Sequence, residues 1–170
     1  MSEQIHNGWD KLKIIITCLA GLYFFLYVIT PDRGGLMDSV DLPIHETGHL
    51  VFRPFGEFIS MAGGTIFQVL FPSVFVAYFF WHRKPYSASL CLLWPGQSFL
   101  NVYVYARDAI KMNLPLVGGG IHDWNYMLGK LGLLRQTSLI AGAFRVIGTL
   151  VILAAIALSL YYSRKREIEE

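Results

Sequence analysis

Four apolar stretches, each near the about 20 residues that a helix needs to cross a bilayer, dominate this 170-residue chain. They cover residues 12–30, 59–81, 86–106 and 146–162. Hydrocarbon offers no water to backbone N–H and C=O groups, so such stretches must satisfy them internally, as helices. Only 15% of the residues are charged, against about 25% in a soluble domain. Lipid is therefore expected to be the main solvent and first partner. No Lys/Arg-rich tract alternates with aromatics, which argues against nucleic acid as a ligand. The expected fold class is an all-α membrane protein: four transmembrane helices plus one short helix at the membrane edge, in a single domain.

Lys11 and Lys13 precede the apolar run from Ile14 to Ile29, and no small-residue cleavage pattern follows it. It therefore reads as a retained helix rather than a signal peptide. Cys18 and Cys91 both fall inside apolar stretches, so no disulfide framework is expected. Residues 31–58 separate the first two stretches. Asp32, Arg33, Asp38 and Asp41 make their first half polar. Residues 43–52 read as a short helix stopped by Pro54 and Gly56. It carries His45, Glu46 and His49, too many ionisable groups for a lipid-exposed span. Its expected place is the membrane edge.

Basic residues cluster at Lys11 and Lys13, at residues 82–84, and at Arg164, Lys165 and Arg166. With four spans all three clusters fall on one side, which the positive-inside rule makes cytoplasmic. Both termini are then cytoplasmic. The His45–His49 segment and the loop around His122 share the opposite, non-cytoplasmic side.

The strongest chemical signal is Ile44-His45-Glu46-Thr47-Gly48-His49, a His-Glu-x-x-His motif. Residues i and i+4 lie on one helix face a turn apart. Two imidazoles there can grip one zinc ion at about 2.0–2.1 Å. Zinc brings the pKa of a bound water toward about 7, and Glu46 can take its proton during attack on a carbonyl. A catalytic zinc usually has three protein ligands and one open position. His122 is the first candidate for the third, in a loop opened by the Gly118-Gly119-Gly120 turn; Asp108 and Asp123 are the alternatives. Arg145, Asn101 and Gln68 are weaker candidates for substrate or oxyanion contacts. The two amides also suit hydrogen bonds between helices.

The motif resembles that of the site-2 protease family of intramembrane zinc metalloproteases, in which His-Glu-x-Gly-His lies on a helix with a glycine soon after, here Gly56. Ala62-Gly63-Gly64 looks like that family's Ala-Gly-Pro element. Asn113-Leu114-Pro115-Leu116 looks like its Asn-Leu-x-Pro element, with Val117 where an aspartate is expected. The resemblance implies a zinc-dependent integral-membrane hydrolase, a metalloprotease acting on a membrane-protein or peptide substrate with Glu46 as general base. A zinc amidase acting on a lipid would use the same chemistry. The rival class is a non-enzymatic metal-binding membrane subunit or sensor.

Overall fold

The computed structural model describes residues 8–116 and 120–164. Their secondary structure is helical: α1 (Lys11–Ile29), α2 (Leu36–Phe52), α3 (Glu57–Trp81), α4 (Pro85–Cys91), α5 (Leu93–Arg107), α6 (Asp123–Lys130) and α7 (Thr137–Tyr161). Asp10 caps α1, its carboxylate accepting from the N–H groups of Leu12 and Lys13 at 3.1 and 3.2 Å. Gly56, at φ 96°, turns the chain out of the short 3-10 turn after α2 and into α3. That is a conformation a side chain would oppose.

Three helical stretches are long and apolar enough to cross a membrane: Lys11–Ile29, Glu57–Trp81 and Leu134–Tyr161. The expected span over 86–106 is not one continuous helix. It breaks at Leu92, between α4 and α5. Pro95 lacks the N–H that would bond the carbonyl of Cys91, which weakens the ladder at that point. Neither piece alone reaches the length of a span. α5 occupies the centre of the bundle. Leu93, Gln97, Ser98, Leu100, Val102 and Ala106 are all buried there. A helix so enclosed can carry amides and hydroxyls that a lipid-facing helix cannot. It packs closely on α7, where a methyl group placed on Gly148 would fall 2.8 Å from the carbonyl oxygen of Gly96.

The helix expected over 43–52 begins earlier, at Leu36, and runs through Pro43. The polar half of the connecting segment is thus helical. Two of its acids face donors from α5 rather than water: Asp38 accepts from the amides of Asn101 at 2.7 Å and Gln97 at 3.1 Å, and Asp41 accepts from the Trp94 indole at 2.9 Å. α2 runs antiparallel to the first half of α3, with His49 opposite Ser60 and His45 opposite Gln68.

The two ends of the described chain meet. The N–H of Asp10 donates to the carbonyl of Ser163 at 2.9 Å, and the Arg164 guanidinium covers the Trp9 ring. The Tyr86 hydroxyl donates to the carbonyl of Lys13 at 2.9 Å. The start of α1, the start of α4 and the end of α7 therefore share one end of the bundle. α2 packs along the other half of α3.

Candidate metal centre

The HETGH segment lies in α2, pressed against α3 by missing side chains. A methyl group on Gly48 would fall 2.3 Å from the carbonyl oxygen of Gly63, so the two backbones meet here as only glycines allow. Gly64 forms the floor of the site. A methyl group there would fall 2.6 Å from Nε2 of His45 and 2.8 Å from Cε1 of His49. Gly48 and Gly63 let the two backbones meet, and Gly64 leaves the space the two imidazoles occupy.

Each imidazole is held by its Nδ1. That of His45 lies 3.1 Å from Oε1 of Gln68, and that of His49 lies 2.8 Å from the carbonyl oxygen of Ser60. Both partners can only accept, so both Nδ1 atoms carry the proton and donate. The Gln68 amide is itself oriented, because its Nε2 donates to Asp41 at 3.1 Å and to Asn101 at 2.7 Å. The Ser60 hydroxyl returns a bond to the His49 carbonyl at 2.9 Å. Outer contacts of this kind fix tautomer and ring orientation at histidine metal sites.

Both Nε2 atoms then point at one carboxylate oxygen, Oδ2 of Asp123, at 2.9 Å from His45 and 3.3 Å from His49. One ligand atom from each of the three residues falls within 4.8 Å of the others. Two donors about 2.0–2.1 Å from a tetrahedral zinc lie roughly 3.4 Å apart, so the set has the size the ion needs. Lone pairs aimed at a carboxylate repel unless a cation stands between them. At His49 a proton fills that role. The hydrogen bond to Asp123 raises its pKa to about 9, against the opposing effect of burial. For Asp123, burial works upward, but the two imidazoles of His45 and His49 that face its Oδ2 outweigh it and hold the carboxyl at about 2.

The structure thus brings Asp123, rather than His122, to the histidine pair. His122 caps α6, its Nδ1 accepting from the N–H of Asn125 at 3.3 Å, and its ring stacks on Tyr105. Its Nε2 faces Asp108 at 3.6 Å, and burial lowers its pKa. Asp108 also stays apart from the pair, its Oδ2 accepting from the N–H of Leu114 at 2.9 Å. Of the weaker candidates, Gln68 and Asn101 join the network behind His45. Arg145 is exposed on α7, over the Tyr103 ring at 5.4 Å. The Gly118-Gly119-Gly120 turn and Val117 fall at residues 117–119, outside the described residues, apart from Gly120.

Glu46 lies beside this centre on a cleft of about 320 Å³ that it lines with Asp38, His45, Asn101, Tyr105 and Leu114. Sequence reading missed Tyr105, whose ring packs edge-on to His45 and whose hydroxyl accepts from the N–H of Asp123 at 3.3 Å. Nothing in a lone tyrosine near the end of an apolar stretch marks it. It also missed Ser60, which acts through a backbone carbonyl. The acid Asp41 was legible in principle, since Asp41, His45 and His49 repeat at helical spacing.

The ligand assignment has a direct test. Asp123→Ala should weaken zinc affinity more than about 100-fold, while His122→Ala and Asp108→Ala, which touch the centre only indirectly, should each cost about 10-fold or less. Competition against a chromophoric chelator measures all three. A larger loss at His122 or Asp108 than at Asp123 would overturn the assignment. No family model, no curated protein and no solved structure matches this chain.

Proposed function

We propose that the chain is a zinc-dependent membrane hydrolase that cuts peptide bonds, of the kind its motif resembles in site-2 proteases. One observation carries this reading. Two histidines with anchored Nδ1 atoms turn their Nε2 atoms on a single aspartate, and the glutamate between them in sequence lines an adjoining cleft. His45, His49 and Asp123 would hold the ion. Among the described residues these three form the gathered set, which suits a catalytic site with an open position better than a closed structural one.

Bound zinc supplies a Lewis acid that polarises a carbonyl and acidifies water. The protein supplies the rest. Glu46 accepts a proton at its carboxylate and returns it to the leaving amine. Gln68 and Ser60 keep the imidazoles in the ligating tautomer. Gly64 leaves the floor open. The shared end of the bundle that carries Lys13 and Arg164 is proposed as the cytoplasmic end, with the metal centre in the opposite half.

Chelation tests this reading. Protein in liposomes should cleave a membrane-protein substrate, lose that activity on treatment with a zinc chelator, and regain it with added zinc. Cleavage that persists after zinc is removed would contradict it. Cleavage of an amide-linked lipid but of no peptide would keep the chemistry and change the substrate.

A further inference from the structure

Arg145 takes no part in the metal centre, yet it occupies a costly place. It lies within the helical stretch Leu134–Tyr161, which is long and apolar enough to cross a membrane. It is exposed there, and so are Val146, Ile147 and Leu150 beside it. A charged side chain facing lipid is retained where it finds a counter-charge or reaches the interface. Tyr161, Tyr162 and Arg164 are interface anchors at the far end of α7. From Tyr161 back to Arg145 the helix rises about 24 Å at about 1.5 Å per residue, against about 30 Å of hydrocarbon. With Tyr161 at one boundary, the backbone of Arg145 lies about 6 Å inside the other. Helical side chains lean toward the N-terminus, here the nearer boundary, so the guanidinium reaches the headgroup layer.

A second arginine shares its platform. The guanidinium carbon of Arg145 lies over the Tyr103 ring at 5.4 Å, and that of Arg107 lies over the same ring at 5.1 Å. Nη1 of Arg107 also donates to the Tyr103 hydroxyl at 3.1 Å, and its Nη2 pairs with Asp32. Among the described residues no carboxylate pairs with Arg145. Two guanidinium groups against one carboxylate leave the patch with spare positive charge. A ring contact leaves guanidinium N–H groups free to donate. There is room to reach them. Gly142 lies one turn nearer the boundary, and a methyl group on it would meet nothing within 4 Å. Ser138, a further turn on, is exposed. Positions 138, 142 and 145 share one face of α7, so two small residues lead from the boundary down to the arginine.

We infer that this patch is a binding site for an anionic phospholipid, in the leaflet at the end of the bundle opposite Lys13 and Arg164. Its phosphodiester accepts a pair of hydrogen bonds from Arg145, and its acyl chains lie along the exposed apolar residues of α7. The planar fork of a guanidinium matches two phosphate oxygens. Charge selects the headgroup. A choline or ethanolamine group brings its own cation, which the spare positive charge of the patch repels, whereas a glycerol group brings none. Position selects a lipid over a soluble anion, because the arginine stands among side chains that face hydrocarbon. Such a site requires neither zinc nor turnover.

Native mass spectrometry tests the site by counting the lipids that the whole chain retains when released from detergent micelles. The micelles are titrated with dioleoyl phosphatidylglycerol or with dioleoyl phosphatidylcholine. The wild type should bind one phosphatidylglycerol about fivefold more tightly than phosphatidylcholine, the yield of one basic side chain at an anionic surface. Arg145→Gln should erase that preference. Arg145→Lys should keep part of it, since a point charge remains without the fork. Arg135→Gln removes another exposed cation, at the start of the same helical stretch, and should leave the preference unchanged. Circular dichroism checks that each variant keeps its helices. A wild type that binds both lipids equally would overturn the site, as would an undiminished preference in Arg145→Gln. A loss in Arg135→Gln as large as in Arg145→Gln would also overturn it, by making the attraction a matter of net charge.

Discussion

Glu46→Gln should leave zinc bound and stop hydrolysis. The substitution keeps the side chain's size and changes neither ligand, since His45 and His49 flank Glu46 in α2 and are held by Gln68 and Ser60. A glutamine cannot accept a proton from water. Activity should therefore fall by about 10²–10⁴-fold, the usual contribution of a general base, with zinc content near that of the wild type. Substrate should still enter the cleft that Glu46 shares with Asn101 and Tyr105, so the variant should trap uncleaved substrate. A metal sensor predicts a different pattern, with the metal response intact and no turnover to lose. Both proteins are assayed side by side on membrane-protein substrates in liposomes. Equal cleavage by both would remove Glu46 from the mechanism even with zinc in place.

Much of this centre was legible from the chain alone. The motif placed two imidazoles on one helix face, and Gln68 and Asn101 stood out as amides inside apolar stretches. Gln68 became the anchor of His45, and Asn101 the anchor of Gln68. The third residue of the cluster was harder. His122 and Asp123 are neighbours in a segment without periodicity, and imidazole is the better zinc donor. The choice was made by where α6 begins: the cap position turns His122 back on its own helix, while the first turn aims Asp123 at α2. Gly63 and Gly64 could be read as residues that let helices approach. Sequence could not say that the groups approaching Gly64 were the two histidines themselves, while Phe52 and the Gly48 carbonyl approach Gly63. The stretch over 86–106 is divided between two helices. Its apolar length suits a span, but Pro95 breaks it, and its polar residues Gln97, Ser98 and Asn101 serve a buried partner, α2.

The His45→Ala, His49→Ala double variant should lose its zinc. Asp123 alone cannot hold the ion, and removing both imidazoles takes two of the three ligands. The close contact of Gly48 with Gly63 does not involve either ring, so α2 should stay docked on α3. Protons compete for the same atoms. With the pKa of His49 raised to about 9 by Asp123, the metal-free site holds a proton through neutral pH, and zinc must displace it. Binding should therefore tighten as pH rises toward 9, and loading is best done on the alkaline side of neutral. The decisive measurement is zinc content by elemental mass spectrometry, on wild type and double variant purified alike after exposure to excess zinc at mildly alkaline pH. The wild type should retain about one zinc per chain and the double variant almost none; a wild type without zinc, or a double variant that keeps a full equivalent, would contradict the metal centre.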